Sequence, residues 1–260
     1  IKNHLLSSRD ALEKGEFNQA ESEVNKAKKG INQFKNVLAS AGILRRIPQV
    51  SEFIEKGDRI VDLAAEGTDG ILYATRGSES LFETTKIISG ESREEPQKYY
   101  DNAQKDLQFA STKLSKVSAG LEDENLKAQL PEFAVSRIDD LKIRVAFYQA
   151  LVEQAKSASA LMPEITAIGT KKSYLVLLQN NLELRPTGGF IGSYAKLDFE
   201  NGRLKDIKVD DIYNLDGALT DVIAPPPDLK SDLGIDRLFL RDSNYEPDFP
   251  TSARQASFFY

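Results

Sequence analysis

The sequence of 260 residues contains no cysteine and a single histidine, His4. The absence of cysteine excludes disulfides, iron–sulfur clusters, cysteine-ligated zinc and cysteine nucleophiles. A single histidine excludes His–His metal sites and a Ser–His–Asp triad drawn from the body of the chain. The enzyme classes that depend on these residue types are therefore excluded.

An excess of positive charge and a long apolar run are also missing from the sequence. The formal net charge is −6, whereas general affinity for nucleic acids or acidic membrane surfaces requires a basic surface. We therefore predict no nucleic-acid partner. No stretch of 18 apolar residues occurs, so the sequence predicts no transmembrane helix within it. Any contact with a membrane would need a segment outside this chain.

The composition of the chain changes near residue 172. The first region is rich in glutamate, a good helix former, whereas 11 of the 14 acidic residues in 173–260 are aspartate. The second region also holds six of the ten prolines, and both residue types favour turns over helix interiors. We therefore predict a helical bundle over 1–172 and an α/β domain with a mixed sheet over 173–260, a fold of the α+β class overall.

Both ends of the sequence look like cut points. Ile1 is not a methionine, and the chain ends on an apolar run, SFFY, with no polar residue after it. We expect a piece of a longer chain, with the α/β domain truncated at its C-terminus.

Apolar residues in the first region recur at alternating intervals of four and three, which keeps an apolar stripe on one side of a helix. Two such stripes are Tyr100, Ala103, Leu107, Ala110, Leu114, Val117 and Leu121, and Ala134, Ile138, Leu141, Val145, Tyr148, Val152 and Ala155. Pro131 is expected to open the last long helix and Pro163 to close it. Long helices joined by short polar loops predict an elongated antiparallel bundle.

The segment 48–90 is less regular than the other helical segments. Gly67, Gly70 and Gly77 lower helix propensity, so we predict a helix that they interrupt, followed by a shorter helix around 81–88.

The second region begins with a short apolar run, YLVLL at 174–178, which predicts a central strand. FIGSYAKLDF predicts a second strand, with one face formed by Ile191, Ala195, Leu197 and Phe199. Asn201–Gly202 is a strong signal for a two-residue hairpin into the return strand RLKDIKVDD. The run RLFLRD, 237–242, predicts a further short strand.

The turn between the first two strands, QNNLELRPTGGF, is a candidate site. Its glycines do not form a Rossmann fingerprint, because the spacing is G-G-x-x-G and a strand follows instead of a helix. Asn181 and Arg185 follow the end of a strand, which is where ligands bind in open α/β sheets. Gly188 and Gly189 could present successive N–H groups to an anion, and Arg185 could bind a phosphate or carboxylate through two hydrogen bonds.

Acidic residues and a second arginine follow the later strands. Asp216 follows the hairpin, and Arg241 and Asp242 follow the LFL run. Enzymes that use Mg²⁺ for phosphate chemistry combine arginine with clustered aspartates. Asp216 and Asp242 are therefore candidate metal ligands, and Mg²⁺ is the candidate cofactor. Alternatively the same residues form a structural corner, with Arg185 paired to Glu183. No residue is identified as catalytic.

The run YLVLLQNNLELRPTGGFIGSYAKLDFENGRLKDIKVDDIYNLDG, together with LRDSNYEPDFPTSA, resembles a bacterial family, domain-of-unknown-function family 4012. The resemblance covers the second region. It implies a cell-surface protein outside the cytoplasm, anchored to the plasma membrane by a transmembrane helix that precedes Ile1.

A more distant likeness, at the level of the fold, is to the LytR–CpsA–Psr phosphotransferases, which move lipid-linked glycopolymers onto the cell wall. That likeness implies that Arg185 and Arg241 hold a pyrophosphate and that Asp216 or Asp242 holds a metal ion. VDDIYNLD lacks the arginine–aspartate pair that those enzymes carry after the corresponding strand. This difference bears on catalysis more than on phosphate binding, and a fold does not fix a function.

The sequence supports two hypotheses and leaves open whether the protein is an enzyme. The first is an extracytoplasmic cell-envelope protein whose α/β domain binds an anionic glycopolymer or lipid-linked phosphate, with phosphate transfer as its extension. The second is a non-enzymatic envelope scaffold, adhesin or sensor ectodomain that contacts a protein partner through the helical bundle. The first hypothesis expects the arginines and aspartates to converge in a pocket, and the second expects them on different faces.

Overall fold

A computed structural model describes residues 1–40, 42, 44–127 and 132–260. The chain divides into two compact units, Ile1–Ile165 and Thr166–Tyr260. The composition change at residue 172 falls shortly after this division. The first unit is helical, and the second combines a three-stranded sheet with several helices, which confirms the α+β class.

The first unit is built from helices of very different lengths. They are α1 (Lys2–Glu13), α2 (Phe17–Ser40), α3 (Pro48–Ile88), α4 (Pro96–Leu121), the short α5 (Glu124–Lys127) and α6 (Glu132–Ile165), with a 3-10 turn at Leu44–Arg46. Pro131 lies outside the described residues. Pro163 lies within the last turn of α6 and does not close it, because the helix continues to Ile165. Within the described ranges, no helix combines the length and apolar character needed to cross a membrane.

Helix α3 runs without interruption through the glycines that predict a break, so that prediction is wrong. A Cβ on Gly70 would lie 3.2 Å from Leu114, and one on Gly77 would lie 2.7 Å from Leu107 Cγ. The missing side chains let α3 approach α4 closely along its length. This packing outweighs the roughly 1 kcal/mol by which each glycine weakens a helix. Gly70 faces Leu114, and the later Gly77 faces the earlier Leu107. The two helices are therefore antiparallel.

Every residue of the stripe predicted for α4 is buried, which confirms that stripe. It packs against α3 on one side and α6 on the other. Two polar pairs join α4 and α6: Ser111 with Glu153, and Glu122 with Lys142. The later residue of α4 thus pairs with the earlier residue of α6. Helices α4 and α6 are therefore antiparallel, as a bundle with short connections requires.

The stripe predicted for α6 is only partly correct. Ile138 and Val152 are buried against α4, with Val145 half-buried between them. Leu141 and Tyr148, which the same stripe includes, are 49% and 42% exposed. The contact thus follows positions seven residues apart, and much of the apolar surface of α6 lies elsewhere on the helix.

The sheet of the second unit has the order β1 (Lys171–Asn180), β2 (Phe190–Glu200), β3 (Arg203–Asp211). Both strand pairs are antiparallel, so the prediction of a mixed sheet is wrong for the described residues. The central strand is β2, so the prediction of a central YLVLL strand is wrong and β1 lies at an edge of the described sheet. Asn201 and Gly202 both have positive φ, 50° and 76°. These are the angles that a two-residue hairpin turn requires, and the hairpin prediction is confirmed.

An irregularity in the β1–β2 pairing changes which residues share a face. The register shifts between Leu178 and Gln179, which leaves Gly192 as an extra residue in β2. One extra residue reverses the alternation of faces. Ile191 therefore points into the core, on the face opposite to Ala195, and the predicted common face is wrong.

The remaining chain folds over one face of the sheet. It contains α7 (Ile212–Ala218), α8 (Pro227–Leu233), a 3-10 turn at Leu240–Asp242, and α9 (Phe249–Phe259). The core of this unit is formed by Ile191, Tyr194, Ile212, Leu238, Leu240 and Phe259. The strand predicted for RLFLRD is wrong: its two leucines are buried, but the run ends in the 3-10 turn.

Candidate functional site

The connection between β1 and β2 is closed by its own hydrogen bonds. Glu183 N–H donates to Asn180 O at 3.2 Å, and Phe190 N–H donates to Glu183 O at 2.9 Å. The Asn180 side-chain Nδ2 donates to Glu183 Oε1 at 3.2 Å. The Glu183 carboxylate therefore bonds Asn180, and no pair between Glu183 and Arg185 forms in the described part of the chain.

The two glycines of the turn have different roles from the predicted one. Gly188 has φ of 128°, and its N–H donates to Arg185 O at 3.0 Å, so this N–H does not face an anion. Gly189 is buried, and a Cβ there would lie 2.5 Å from the Asn180 carbonyl carbon and closer still to its oxygen. Its own carbonyl accepts a hydrogen bond from Asn244 Nδ2 at 2.7 Å. Gly189 is therefore required for a close approach of two backbone segments.

Asp216 ties α7 to the 3-10 turn that carries the second arginine. The Asp216 side chain is buried, and its Oδ1 accepts the Leu240 N–H at 2.9 Å. Its Oδ2 accepts from Arg241 Nη1 at 3.1 Å. Burial raises the pKa of the Asp216 carboxyl, while the Leu240 N–H and the Arg241 charge act in the opposite direction.

Arg241 is held between this carboxylate and two aromatic rings. Its guanidinium carbon lies 4.1 Å from the centre of the Phe239 ring and 5.1 Å from that of Tyr213. Both distances are within the range of cation–π contacts. The charge and the orientation of Arg241 are therefore fixed by the protein itself.

Asp242 is the second buried carboxylate of the cluster. Arg241 Nε lies 3.7 Å from Asp242 Oδ2, which has no hydrogen-bond partner among the described residues. Burial raises the pKa of the Asp242 carboxyl and the nearby Asp216 raises it further, whereas the charges of Arg241 and Arg185 lower it. Asp242 thus retains an unused acceptor beside two cations.

Arg185 is half-buried and differs from Arg241 in its partners. Its Nε is buried without a hydrogen-bond partner within the described ranges, and its guanidinium carbon lies 5.7 Å from the centre of the Phe190 ring. Its charge is close enough to influence Asp242. Arg241, Asp216 and Asp242 therefore form one ion-pair cluster, and the charge of Arg185 acts on Asp242. The pocket shared by all four residues, which the first hypothesis expects, stays a prediction.

For three other residues near the two arginines, the sequence predicted the wrong role or none. Asn181 is exposed and forms no hydrogen bond to either arginine in the part of the chain described. Ser243 and Asn244 are fully buried, and Ser243 Oγ and Asn244 Oδ1 have no hydrogen-bond partner among the described residues. The sequence gives no signal for them, because Ser-Asn after a strand-like run is typical of an ordinary turn.

The geometry fits a resident Mg²⁺ poorly. Both oxygens of Asp216 already accept hydrogen bonds from protein donors. Mg²⁺ prefers octahedral oxygen coordination, and the described residues contain no group of three or more acidic or histidine side chains that could hold a metal. The arrangement favours an ion-pair network around Asp216 and Asp242, and the Mg²⁺ site stays a prediction.

A model of a known protein family matches part of the chain. Residues 170–260 match the model of the family described as Protein of unknown function (DUF4012). No curated protein and no solved structure matches the chain. The matched residues include the β1–β2 turn, Asp216 and the Arg241–Asn244 segment. The match lies within the second unit, agrees with the resemblance seen in the sequence, and assigns no activity.

Proposed function

We propose that the second unit binds an anionic ligand of the phosphate class at Arg185. The observation that carries this proposal is the half-buried guanidinium, whose buried Nε has no hydrogen-bond partner among the described residues. A buried polar group left without a partner costs about 1–3 kcal/mol, and more when it is charged. A phosphate or carboxylate oxygen is the partner that the arginine fork binds best.

Arg241 supports this site by balancing charge. Its hydrogen bond to Asp216 and its proximity to Asp242 offset the two buried carboxylates. The positive charge of Arg185 is then less fully neutralised by the protein, which favours an anion at that end of the cluster. On a ligand with two phosphates, Arg241 is the second contact.

The cellular setting and the ligand follow from resemblance. The second unit resembles extracytoplasmic proteins of the bacterial cell envelope that are anchored to the plasma membrane. The likeness to LytR–CpsA–Psr phosphotransferases suggests a lipid-linked phosphate or an anionic glycopolymer as the ligand. It also suggests phosphate transfer as the activity. Binding at Arg185 does not depend on that last step, and no residue is assigned a catalytic role.

Arg185→Ala is expected to abolish binding of a polyprenyl-pyrophosphate mimic. Loss of a charge-assisted, two-point contact removes about 3 kcal/mol, which corresponds to roughly a 100-fold increase in Kd. The Tm should remain nearly unchanged, because loss of the contacts with Phe190 and with the charge of Asp242 is offset by removal of a buried Nε that has no hydrogen-bond partner among the described residues. Isothermal titration calorimetry and thermal melting measure the two effects.

Arg254→Ala is the matched control. It removes the same charge from an exposed position on α9, where Arg254 bonds Thr251 Oγ1 at 2.8 Å, and should change Kd by less than about twofold. Unchanged binding by the Arg185→Ala protein would show that the site is wrong. A large loss of Tm with unchanged binding would show that Arg185 has a structural role in the β1–β2 turn, as the second hypothesis holds.

Asp242→Asn separates an anion site from a metal site. The replacement removes a negative charge close to Arg185 while retaining the shape of the side chain. Binding of the pyrophosphate mimic is therefore expected to tighten by several-fold at pH 7. If Asp242 were instead a ligand of Mg²⁺, the same replacement would weaken binding in the presence of Mg²⁺.

The same variant has a defined effect on the pH dependence of stability. The pKa of Asp242 is raised from 3.8 in the folded state, so the folded state retains the proton to higher pH than the unfolded state. The stability that the protonated Asp242 contributes to the folded state is fully present below the pKa that Asp242 has in the unfolded state. It is lost as the pH rises through the pKa that Asp242 has in the folded state. The difference in Tm, variant minus parent, should therefore grow from pH 3 to pH 7. A difference that shrinks over this range would contradict the burial of the carboxylate.

The non-enzymatic scaffold remains the second candidate, because one helix of the first unit exposes an apolar face. On α6, the side chains of Ile143 and Phe147 are 72% and 60% exposed. Contiguous apolar surface of this kind is typical of protein contact sites. A scaffold function would use this face, with or without a ligand at Arg185.

A further inference from the structure

Helix α6 has a second apolar face besides the one that covers α4. The side chains of this outer stripe are all exposed: Ile143, Phe147, Ala150, Gln154, Ala158, Leu161 and Ile165. Its four large members are between 44% and 72% exposed. A helix that is apolar on two sides is expected to be buried on both.

The outer stripe is symmetric about Gln154 in spacing and in side-chain size. Its residues are Ile, Phe, Ala, Gln, Ala, Leu and Ile, at intervals of four, three, four, four, three and four. Large side chains stand at both ends and alanines flank the central Gln154. In an antiparallel pair with its two-fold axis at Gln154, each residue meets the one equally far on the other side of the centre, so this symmetry places large side chains opposite large ones and alanine opposite alanine.

We propose that the outer stripe of α6 binds a second copy of this chain, antiparallel, across a two-fold axis at Gln154. Ile143 then packs against the partner's Ile165, and Phe147 against the partner's Leu161. The alanines next to the axis let the helices approach closely. The two Gln154 amides, one from each copy, satisfy each other, since an amide offers both a donor and an acceptor.

The size of the outer stripe agrees with a reversible dimer. Its four large side chains expose on the order of 400 Å², which is within the range of the largest apolar patches on monomers. Two such stripes with their flanks bury roughly 1,000 Å², which is near the lower limit for a specific interface. A dimer with Kd in the micromolar range is therefore expected. This inference rests on the helical unit alone and does not require a ligand at Arg185.

Sedimentation equilibrium of the whole chain, from about 1 to about 300 µM, tests the proposal over the expected range of Kd. The parent chain should pass from monomer to dimer. Phe147→Glu and, independently, Leu161→Glu should each raise the dimer Kd at least about tenfold. Phe34→Glu is the matched control, because Phe34 is 52% exposed on α2 and outside the outer stripe; its Kd should equal that of the parent. A chain that stays monomeric throughout, or a dimer unaffected by both α6 variants, overturns the proposal.

Cross-linking tests the orientation, since the sequence has no cysteine. With a short bifunctional thiol reagent, the Gln154→Cys chain should cross-link to itself. A mixture of Ala150→Cys and Ala158→Cys chains should give more cross-linked dimer than either chain alone, because these positions meet only between antiparallel helices. If each chain instead cross-links to itself as efficiently as the mixture, the helices are parallel and the two-fold arrangement is wrong.

Discussion

Gly189→Ala is expected to lower the free energy of unfolding of the second unit by about 3 kcal/mol or more. The added Cβ would lie 2.5 Å from the Asn180 carbonyl carbon, and a backbone group cannot move aside as a flexible side chain can. Any shift also disturbs the hydrogen bond that Asn244 donates to Gly189 O. For a domain of this size the Tm should fall by about 12 °C or more.

Gly192→Ala is the control for this effect. Gly192 also lies in β2, but a Cβ there would have no atom within 4 Å and its φ is not positive. We expect its Tm to equal that of the parent or to exceed it by up to about 8 °C, since Gly-to-Ala changes in compatible conformations stabilise by about 0.4–1 kcal/mol. Equal Tm values for both variants, measured by the same thermal melt, would contradict the close approach at Gly189.

Asp216→Ala is expected to destabilise the second unit by about 3–5 kcal/mol, the usual cost of leaving one partner of a buried ion pair alone. The replacement leaves the Leu240 N–H without its acceptor and Arg241 without its closest carboxylate. Chemical denaturation monitored by tyrosine fluorescence measures the change. Asp216→Asn should lose less, because an amide oxygen can still accept the Leu240 N–H.

An exposed ion pair provides the comparison for Asp216. Asp236 is 2.9 Å from Lys230 and its side chain is 89% exposed. Asp236→Ala should leave the free energy of unfolding nearly unchanged, because exposed ion pairs contribute little. If the Asp216 and Asp236 variants were equally stable, the buried pair would not hold the 3-10 turn in place.

Local patterns predicted the parts of the fold that local physics decides. The α4 stripe and the Asn201–Gly202 turn are confirmed, since helix periodicity and positive φ are properties of short segments. The continuity of α3 depends instead on close packing against α4, which compensates for its glycines. The extra residue at Gly192 likewise depends on how β1 and β2 pair. Neither can be read from one segment alone.

The candidate site shows the same division. The residue types at Arg185, Arg241, Asp216 and Asp242 indicated charged chemistry, and the fold pairs Arg241 with Asp216 beside Asp242. Arg241 bonds Asp216, whereas the buried Nε of Arg185 has no hydrogen-bond partner among the described residues. This difference depends on which side chains meet in three dimensions. The same is true of Asn244, whose partner is a backbone carbonyl 55 residues away in sequence.

The Nε–H resonance of Arg185 provides the most direct test of anion binding. In ¹⁵N-labelled protein this resonance can be assigned by its loss in the Arg185→Lys variant, and then followed during titration with methylenediphosphonate. We predict a saturable shift of the Arg185 resonance, while that of Arg254 moves only slightly with ionic strength. An Arg185 resonance that does not move at about 10 mM ligand, where even a site of millimolar affinity is mostly occupied, would contradict the proposed site.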